Sequence, residues 1–215
     1  KRTFMLPEKW VGKDITLHFG GVKTCFFVWI NGQQVGYNQD SKLPAEFNVT
    51  NYLKSGLNDI AVEVYRWCDG SYLEDQDFWR LAGIEREVYL YAKEKISIED
   101  FTVTADLSKD YEDGIFNLNA LISANNATKF KGKLNIKLNR EGKTILKETK
   151  EVVLKKESSK TILHGANLKK VDAWSAEIPN LYQLEIVLTD KKGKTICAIS
   201  KKIGFRNVKI EGSQL

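Results

Sequence analysis

Fifteen consecutive residues concentrate the side chains that could do chemistry. The run Arg66-Trp67-Cys68-Asp69-Gly70-Ser71-Tyr72-Leu73-Glu74-Asp75-Gln76-Asp77-Phe78-Trp79-Arg80 holds four acids and four aromatics. Carboxylates beside Trp and Tyr suit a sugar: the acid accepts hydrogen bonds from hydroxyls, and a ring face covers apolar C–H groups. The same oxygens could hold a hard cation. The competing reading makes the aromatics core and pairs the acids with Arg66, Arg80 and Arg86. Glu74, Asp75 and Asp77 do not read as a glycosidase acid and nucleophile. A retaining enzyme places its two carboxyls about 5–5.5 Å apart on either side of the scissile bond, and three acids within one short loop do not flank a substrate that way. Asp75-Gln76-Asp77 also fits the D-x-D pattern of metal-bound sugar nucleotides, but so short a pattern carries little information and would want an α/β fold.

Other chemistries find less support. His18 falls in an expected strand and His164 near the end of another; neither has a Ser or Cys partner in a nucleophile elbow, so both read as structural. Gly20-Gly21 reads as a hairpin turn, because no Gly-Lys-Ser/Thr and helix follow to make a phosphate loop. Cys25, Cys68 and Cys197 are far apart and odd in number, against a disulfide framework or a zinc site. Asn48-Val49-Thr50 and Asn126-Ala127-Thr128 fit the glycosylation sequon. A net charge of +5 with pI 8.9 lacks the sharp basic stripe of a nucleic-acid binder. No apolar run of about 18 residues is present to make a membrane-spanning helix. The opening Lys1-Arg2-Thr3-Phe4 reads as a strand rather than a signal peptide, and without an initiator Met the expectation is a fragment of a longer protein. Few cysteines fit a cytoplasm, while a signal peptide removed upstream would leave the same sequence in a periplasmic protein.

The elements that must position the Arg66–Arg80 run show period two almost throughout. Leu134, Ile136 and Leu138 alternate with Lys133, Asn135 and Lys137; Ile60, Val62 and Val64 alternate with Ala61, Glu63 and Tyr65; Leu184, Ile186 and Leu188 repeat the pattern. Each reads as a half-buried strand, and the class is all-β. Asn31-Gly32 between Cys25–Ile30 and Gln33–Tyr37 is a strong hairpin signal. Arg140–Lys143 and Lys191–Lys194 look like two more. The long acidic and aromatic run therefore lies on a loop between strands.

Composition shifts once along the chain. Residues 1–94 hold 16 of the 23 Phe, Tyr and Trp, with 11 Lys+Arg against 13 Asp+Glu; the rest holds 7 aromatics and 22 against 15. Two domains follow, with a boundary near Lys93–Ile96, and the expected bounds are 1–94 and 95–207, with 208–215 starting a linker. The second shows seven strand candidates: Ser97–Thr104, Ile115–Ala124, Lys131–Asn139, Thr144–Leu154, Lys160–Asn167, Tyr182–Thr189 and Thr195–Phe205. That number and spacing suggest an immunoglobulin-like sandwich whose lysines make a solvated face. The first shows six: Arg2–Leu6, Ile15–Phe19, Cys25–Ile30, Gln33–Tyr37, Asp59–Tyr65 and Glu87–Ala92. A jelly roll usually has about eight, so upstream strands are expected.

These residues resemble a known family. Phe27-Val28-Trp29-Ile30-Asn31-Gly32-Gln33-Gln34-Val35-Gly36-Tyr37-Asn38-Gln39-Asp40-Ser41-Lys42-Leu43-Pro44-Ala45-Glu46-Phe47 resembles the sugar-binding domain of the β-galactosidases of glycoside hydrolase family 2. The stretch from Asp69 to Ile84 matches the most recognisable part of that domain. Trp174-Ser175-Ala176-Glu177-Ile178-Pro179-Asn180-Leu181-Tyr182 is similar to a hallmark of the family's immunoglobulin-like second domain, and Ile203-Gly204-Phe205-Arg206 to its exit. The resemblance implies a truncated jelly roll (galactose-binding-like), then an immunoglobulin-like sandwich, with a TIM barrel expected next to carry both catalytic glutamates. No catalytic residue is then expected in this chain. By the same resemblance, Asp77 is the aspartate that reaches the barrel's active site to hold the sugar 6-hydroxyl and a sodium ion. Trp79 and Arg80 would support the loop by packing, and Glu74 and Asp75 would shape it, pairing with arginine. Sodium and magnesium are expected for the complete enzyme, a β-galactoside as its substrate, and a homo-oligomer as its state. A β-glucuronidase or β-mannosidase of the same family, or a free-standing carbohydrate-binding module, are the competing implications. Neither nucleic acid nor membrane is an expected partner.

Overall fold

The computed structural model describes residues 1–77, 79–125, 129–210 and 212. Phe78, the second sequon Asn126-Ala127-Thr128 and most of the 208–215 segment beyond residue 210 lie outside the described residues. The chain forms two units, Lys1–Lys93 and Glu94–Leu215, built almost wholly of antiparallel strands.

The first unit contains β1 (Arg2–Leu6), β2 (Asp14–Phe19), β3 (Val22–Lys23), β4 (Cys25–Ile30), β5 (Gln33–Gln39), β6 (Ala45–Asn48), β7 (Gly56–Tyr65), β8 (Gly83–Ile84) and β9 (Val88–Lys93). A four-stranded sheet runs β1-β7-β4-β5, a three-stranded sheet β6-β2-β9, and β3 pairs with β8. Alternation sets the inner faces. In β4, Phe26, Val28 and Ile30 are buried, while Phe27 and Trp29 face outward among Tyr37 and Tyr65. Phe19 and Phe26 pack at 4.7 Å between ring centroids, and Phe47 meets both edge-on. Asn31 (φ 51°) and Gly32 (φ 81°) make the type I′ turn that matches strand twist. Asn31 also ties the hairpin tip to β7: its Oδ1 accepts from the Asp59 amide at 3.0 Å, and its Nδ2 donates to Asn58 Oδ1 at 2.8 Å.

Gly20-Gly21 is not a hairpin turn. β2 pairs with β6 and β9, never with β3, so these glycines carry the chain from one sheet to another. Arg86 crosses directly over them, donating to the Gly20 carbonyl at 3.1 Å, and a Cβ on Gly20 would stand 3.0 Å from the Arg86 Cβ. Close approach of Arg86, rather than a reversal of direction, is what asks for glycine here. Sequence reading also passed over β6 and the two-residue β3–β8 pair.

The second unit contains β10 (Ile96–Leu107), β11 (Gly114–Ala124), β12 (Phe130–Arg140), β13 (Lys143–Leu154), β14 (Ser159–Leu168), β15 (Tyr182–Asp190) and β16 (Thr195–Ile203). Its sheets run β10-β11-β14 and β13-β12-β15-β16, a seven-stranded sandwich of immunoglobulin type. Phe116, Leu118, Ala120 and Ile122 of β11 face a core shared with Leu134, Ile136 and Leu138 of β12 and Leu184, Ile186 and Leu188 of β15. His164 lies in the middle of β14, not near its end; its ring is 6.3 Å from Phe116, and burial pushes its pKa down.

The Trp174–Tyr182 segment has a structural explanation. The buried Tyr182 hydroxyl accepts from the Asp172 amide at 2.8 Å and from Arg140 Nη1 at 3.2 Å. Arg140 also pairs with Asp172 and donates to Asn180 Oδ1 at 3.1 Å. Arg206 stacks over Trp174 at 4.7 Å, and a Cβ on Gly204 would meet the Trp174 Cβ at 2.7 Å.

Candidate functional site

β7 ends at Tyr65 and β8 begins at Gly83, and the acidic and aromatic run forms the loop between them. A single helical turn, α1 (Ser71–Glu74), shapes its first half. The Ser71 hydroxyl accepts from the Cys68 amide at 3.1 Å, and the Gly70 carbonyl accepts from the amides of Leu73 and Glu74, both at 2.9 Å. Trp67 lies under two guanidiniums, with Arg66 at 5.4 Å and Arg80 at 5.7 Å from the ring centroid, within cation–π range. Arg66 Nε donates to the Arg80 carbonyl at 3.2 Å, closing the base of the loop. Trp67, Cys68, Ser71, Tyr72, Asp75, Gln76 and Arg80 line a cleft of about 460 Å³.

The loop acids have separate fates. Glu74 is held by Ser41, a buried residue whose amide donates to Glu74 Oε1 at 3.2 Å and whose hydroxyl donates to Oε2. Asp75 is 5% exposed, and its Oδ1 stands 3.2 Å from Nζ of Lys23, itself 2% exposed. That contact is a charge pairing whose angles fall short of a hydrogen bond. The partner of Asp75 is thus a lysine from β3, not an arginine. The arginines bind carbonyls instead: Arg66 that of Arg80, Arg86 those of Gly20 and Lys42. Asp77 is exposed.

Trp79 departs from its expected packing role. Its ring is 82% exposed, and its carbonyl, not its indole, ties the loop down by accepting from Lys23 Nζ at 2.8 Å. Tyr72 and Leu73 are 94% and 79% exposed, so the loop presents large apolar side chains to its surroundings, as a surface built to meet something does. Lys23 and Ser41 were missed by sequence reasoning. For Lys23 a signal existed, a charged residue inside the buried run Val22–Phe26; for Ser41 there was none. Among the described residues no group of three or more His, Cys, Asp or Glu is placed to hold a metal ion.

Two other polar clusters belong to the first unit, the second of them next to Cys68 and Asp69 of the loop. His18 Nδ1 and Glu46 Oε1 are 2.9 Å apart, with His18 stacked on Tyr89 at 4.5 Å. The bond from His18 holds the Glu46 carboxyl below the usual range. Burial and the neighbouring Cys25 thiol push the Tyr37 hydroxyl up to about 12.

Residues 1–94 match the domain described as "Glycosyl hydrolases family 2, sugar binding domain", and residues 96–206 the one described as "Glycosyl hydrolases family 2". The chain is 41% identical over 213 residues to a beta-galactosidase of Priestia megaterium, covering 98% of this chain and 20% of that protein. It is 36% identical over 208 residues to a beta-galactosidase of Clostridium acetobutylicum, covering 97% and 22%. The chain therefore spans about a fifth of the length of these relatives. Among solved structures, a beta-glucuronidase of Bacteroides uniformis matches with a TM-score of 0.86 over 95% of this chain and 26% of its own. Its 22% sequence identity makes it a likeness of fold.

Proposed function

This chain belongs to glycoside hydrolase family 2, and on that premise we propose that it is the non-catalytic amino-terminal portion of a retaining β-galactosidase. In that role the Arg66–Arg80 loop forms one wall of an active site whose acid/base and nucleophile stand on a catalytic barrel. The two units scaffold that barrel, and the complete enzyme removes terminal β-linked galactose through a covalent intermediate.

The observation that carries the reading is the division of labour among the loop acids. Glu74 is taken up by Ser41 and Asp75 by Lys23, while Asp77 alone of the three is turned outward. A carboxylate presented on an internally braced loop suits contact with a substrate hydroxyl. Asp77 would also supply one oxygen to a sodium ion, since hard cations take oxygen ligands. Sodium would there help fix the sugar hydroxyl. Magnesium, expected for the complete enzyme, is assigned no residue of this chain. The exposed Tyr72, Leu73 and Trp79 suit contact with the barrel or with a second copy in a homo-oligomer. Identities of 36–41% to beta-galactosidases favour galactose over glucuronic acid or mannose as the sugar.

Calorimetric titration of this chain with galactose and lactose, with and without sodium, tests the reading, with Asp77→Ala run alongside. Absence of binding up to tens of millimolar is the expected result, because the site needs groups from the barrel. Saturable binding lost in Asp77→Ala would make the chain a sugar-binding module in its own right and overturn the reading.

A further inference from the structure

We infer that Lys23 is a positioning residue for Asp77, acting as a clamp that grips the loop on both sides of that carboxylate. The inference rests on the proposed role of Asp77 and goes beyond it by naming what fixes Asp77 in space.

A lysine that is 2% exposed calls for a physical account, because burying an ammonium is costly unless it is paired. Lys23 sits in β3, and its side chain reaches far along the sequence. Its Nζ stands 3.2 Å from Asp75 Oδ1, two residues before Asp77. It donates at 2.8 Å to the carbonyl of Trp79, two residues after Asp77 and 56 residues from Lys23 itself. An ammonium is both a donor and a full positive charge, so one group can hold the carbonyl by a hydrogen bond and the carboxylate by charge pairing. The backbone of Lys23 adds a third point, pairing with Gly83 where the loop returns to the sheet. Residues 75, 79 and 83 are thus tied to one residue at even spacing.

Of the described residues in the bracketed segment, Gln76, Asp77 and Trp79 lie outside every helix and strand and are exposed. Cleft residues Trp67 and Arg80 brace the loop's base rather than its tip. A well-packed apolar pair would fill the Lys23–Asp75 site at least as stably, since buried ion pairs are weak sources of net stability. What the ion pair adds is direction. Displacing a binding group by about 1 Å can cost about a hundredfold in rate, so direction matters at a site completed by a separate domain.

The test uses the full-length enzyme of which this chain is part. Lys23→Met alone would strand a buried carboxylate and endanger folding, so the neutral pair Lys23→Met/Asp75→Asn is the working variant, checked by thermal melting. Asp77→Ala and the triple variant complete the set. KM and kcat for o-nitrophenyl β-galactoside are measured while sodium chloride replaces potassium chloride at constant ionic strength. The expected result is a folded double variant whose KM and half-activating sodium concentration rise about tenfold, with kcat changed less. Adding Asp77→Ala to it should cost nothing further, because both changes remove the same interaction. A double variant with wild-type KM and sodium response, beside an impaired Asp77→Ala, would overturn the clamp and leave the role of Asp77 standing. An Asp77→Ala enzyme with wild-type KM would overturn the role of Asp77 and the clamp with it.

Discussion

Ser41 grips Glu74 with two donors at once: its amide to one carboxylate oxygen and its hydroxyl to the other, across 33 residues of sequence. Ser41 is 2% exposed, so the pair works away from bulk water, where a charged acceptor gains most from its donors. α1 is thereby fastened to the segment between β5 and β6, and the first half of the loop cannot swing without breaking that contact. Ser41→Ala keeps the amide and loses the hydroxyl. It should lower the stability of the first unit by about 1–3 kcal/mol, the usual cost of removing one partner from a charged hydrogen bond. Urea denaturation followed by Trp fluorescence reads this directly, and Glu74→Gln should give a smaller loss.

Tyr182 plays a matching part in the second unit. Its hydroxyl sits between the Asp172 amide and Arg140, and its ring meets Phe205 edge-on at 5.1 Å. Tyr182→Phe keeps the ring contact and orphans two donors. The expected loss is about 1–3 kcal/mol. Arg140→Lys should cost a comparable amount, since a point-like ammonium cannot reproduce the fork that reaches Asp172, Asn180 and Tyr182 together.

His164 sets an acid limit on the second unit. Burial is the main cause of its lowered pKa, Lys150 adds to it, and Glu148 opposes it. The ordinary value is 6.5, so the folded protein binds this proton less readily than the unfolded chain does. The stabilisation is therefore complete above pH 6.5 and is lost as pH falls through the lower folded value. Urea midpoints should decline as pH falls below 6.5, and His164→Leu should flatten that decline. An unchanged slope in the variant would place the acid sensitivity elsewhere.

Gly132 tests packing in β12. A Cβ there would stand 2.1 Å from the Thr189 carbonyl of β15 and 2.5 Å from the Phe130 ring. The carbonyl belongs to a paired strand and cannot rotate aside. Gly132→Ala should therefore cost at least about 1–3 kcal/mol, as overpacking does, with amide exchange rising first along the β12–β15 pairing.

Much of this architecture was readable in the pattern of residues. Leu134, Ile136 and Leu138 declare an inner face by period two, and the structure pairs them with Leu188, Ile186 and Leu184. Asn31-Gly32 declares its turn because that turn type needs positive φ at both positions. What failed were local readings of features with a tertiary cause. Gly20-Gly21 between apolar runs looks like a reversal, but the glycines answer to Arg86, 66 residues away. β3 and β8 hold two residues each, too few for any period to show. At the candidate site, composition located the loop yet could not sort its acids, because the sorting is done by Lys23 of β3 and by Ser41 between β5 and β6, both distant in sequence.

Trp79 separates a side chain's role from its backbone's. Lys23 holds its carbonyl, which any residue at that position would supply, while the indole is 82% exposed. If the ring served the loop's own stability it would be buried against unit 1, and its loss would cost several kcal/mol. Its exposure predicts the reverse. Trp79→Ala should change the unfolding free energy of this chain by no more than about 0.5 kcal/mol, as surface substitutions generally do. In the longer enzyme proposed above the same change should lower kcat/KM or weaken assembly, because a large exposed aromatic two residues from Asp77 is suited to cover a sugar face or a partner surface. Paired melts of the chain and steady-state kinetics of the enzyme decide the matter. A strongly destabilised chain would show that the ring supports the loop after all.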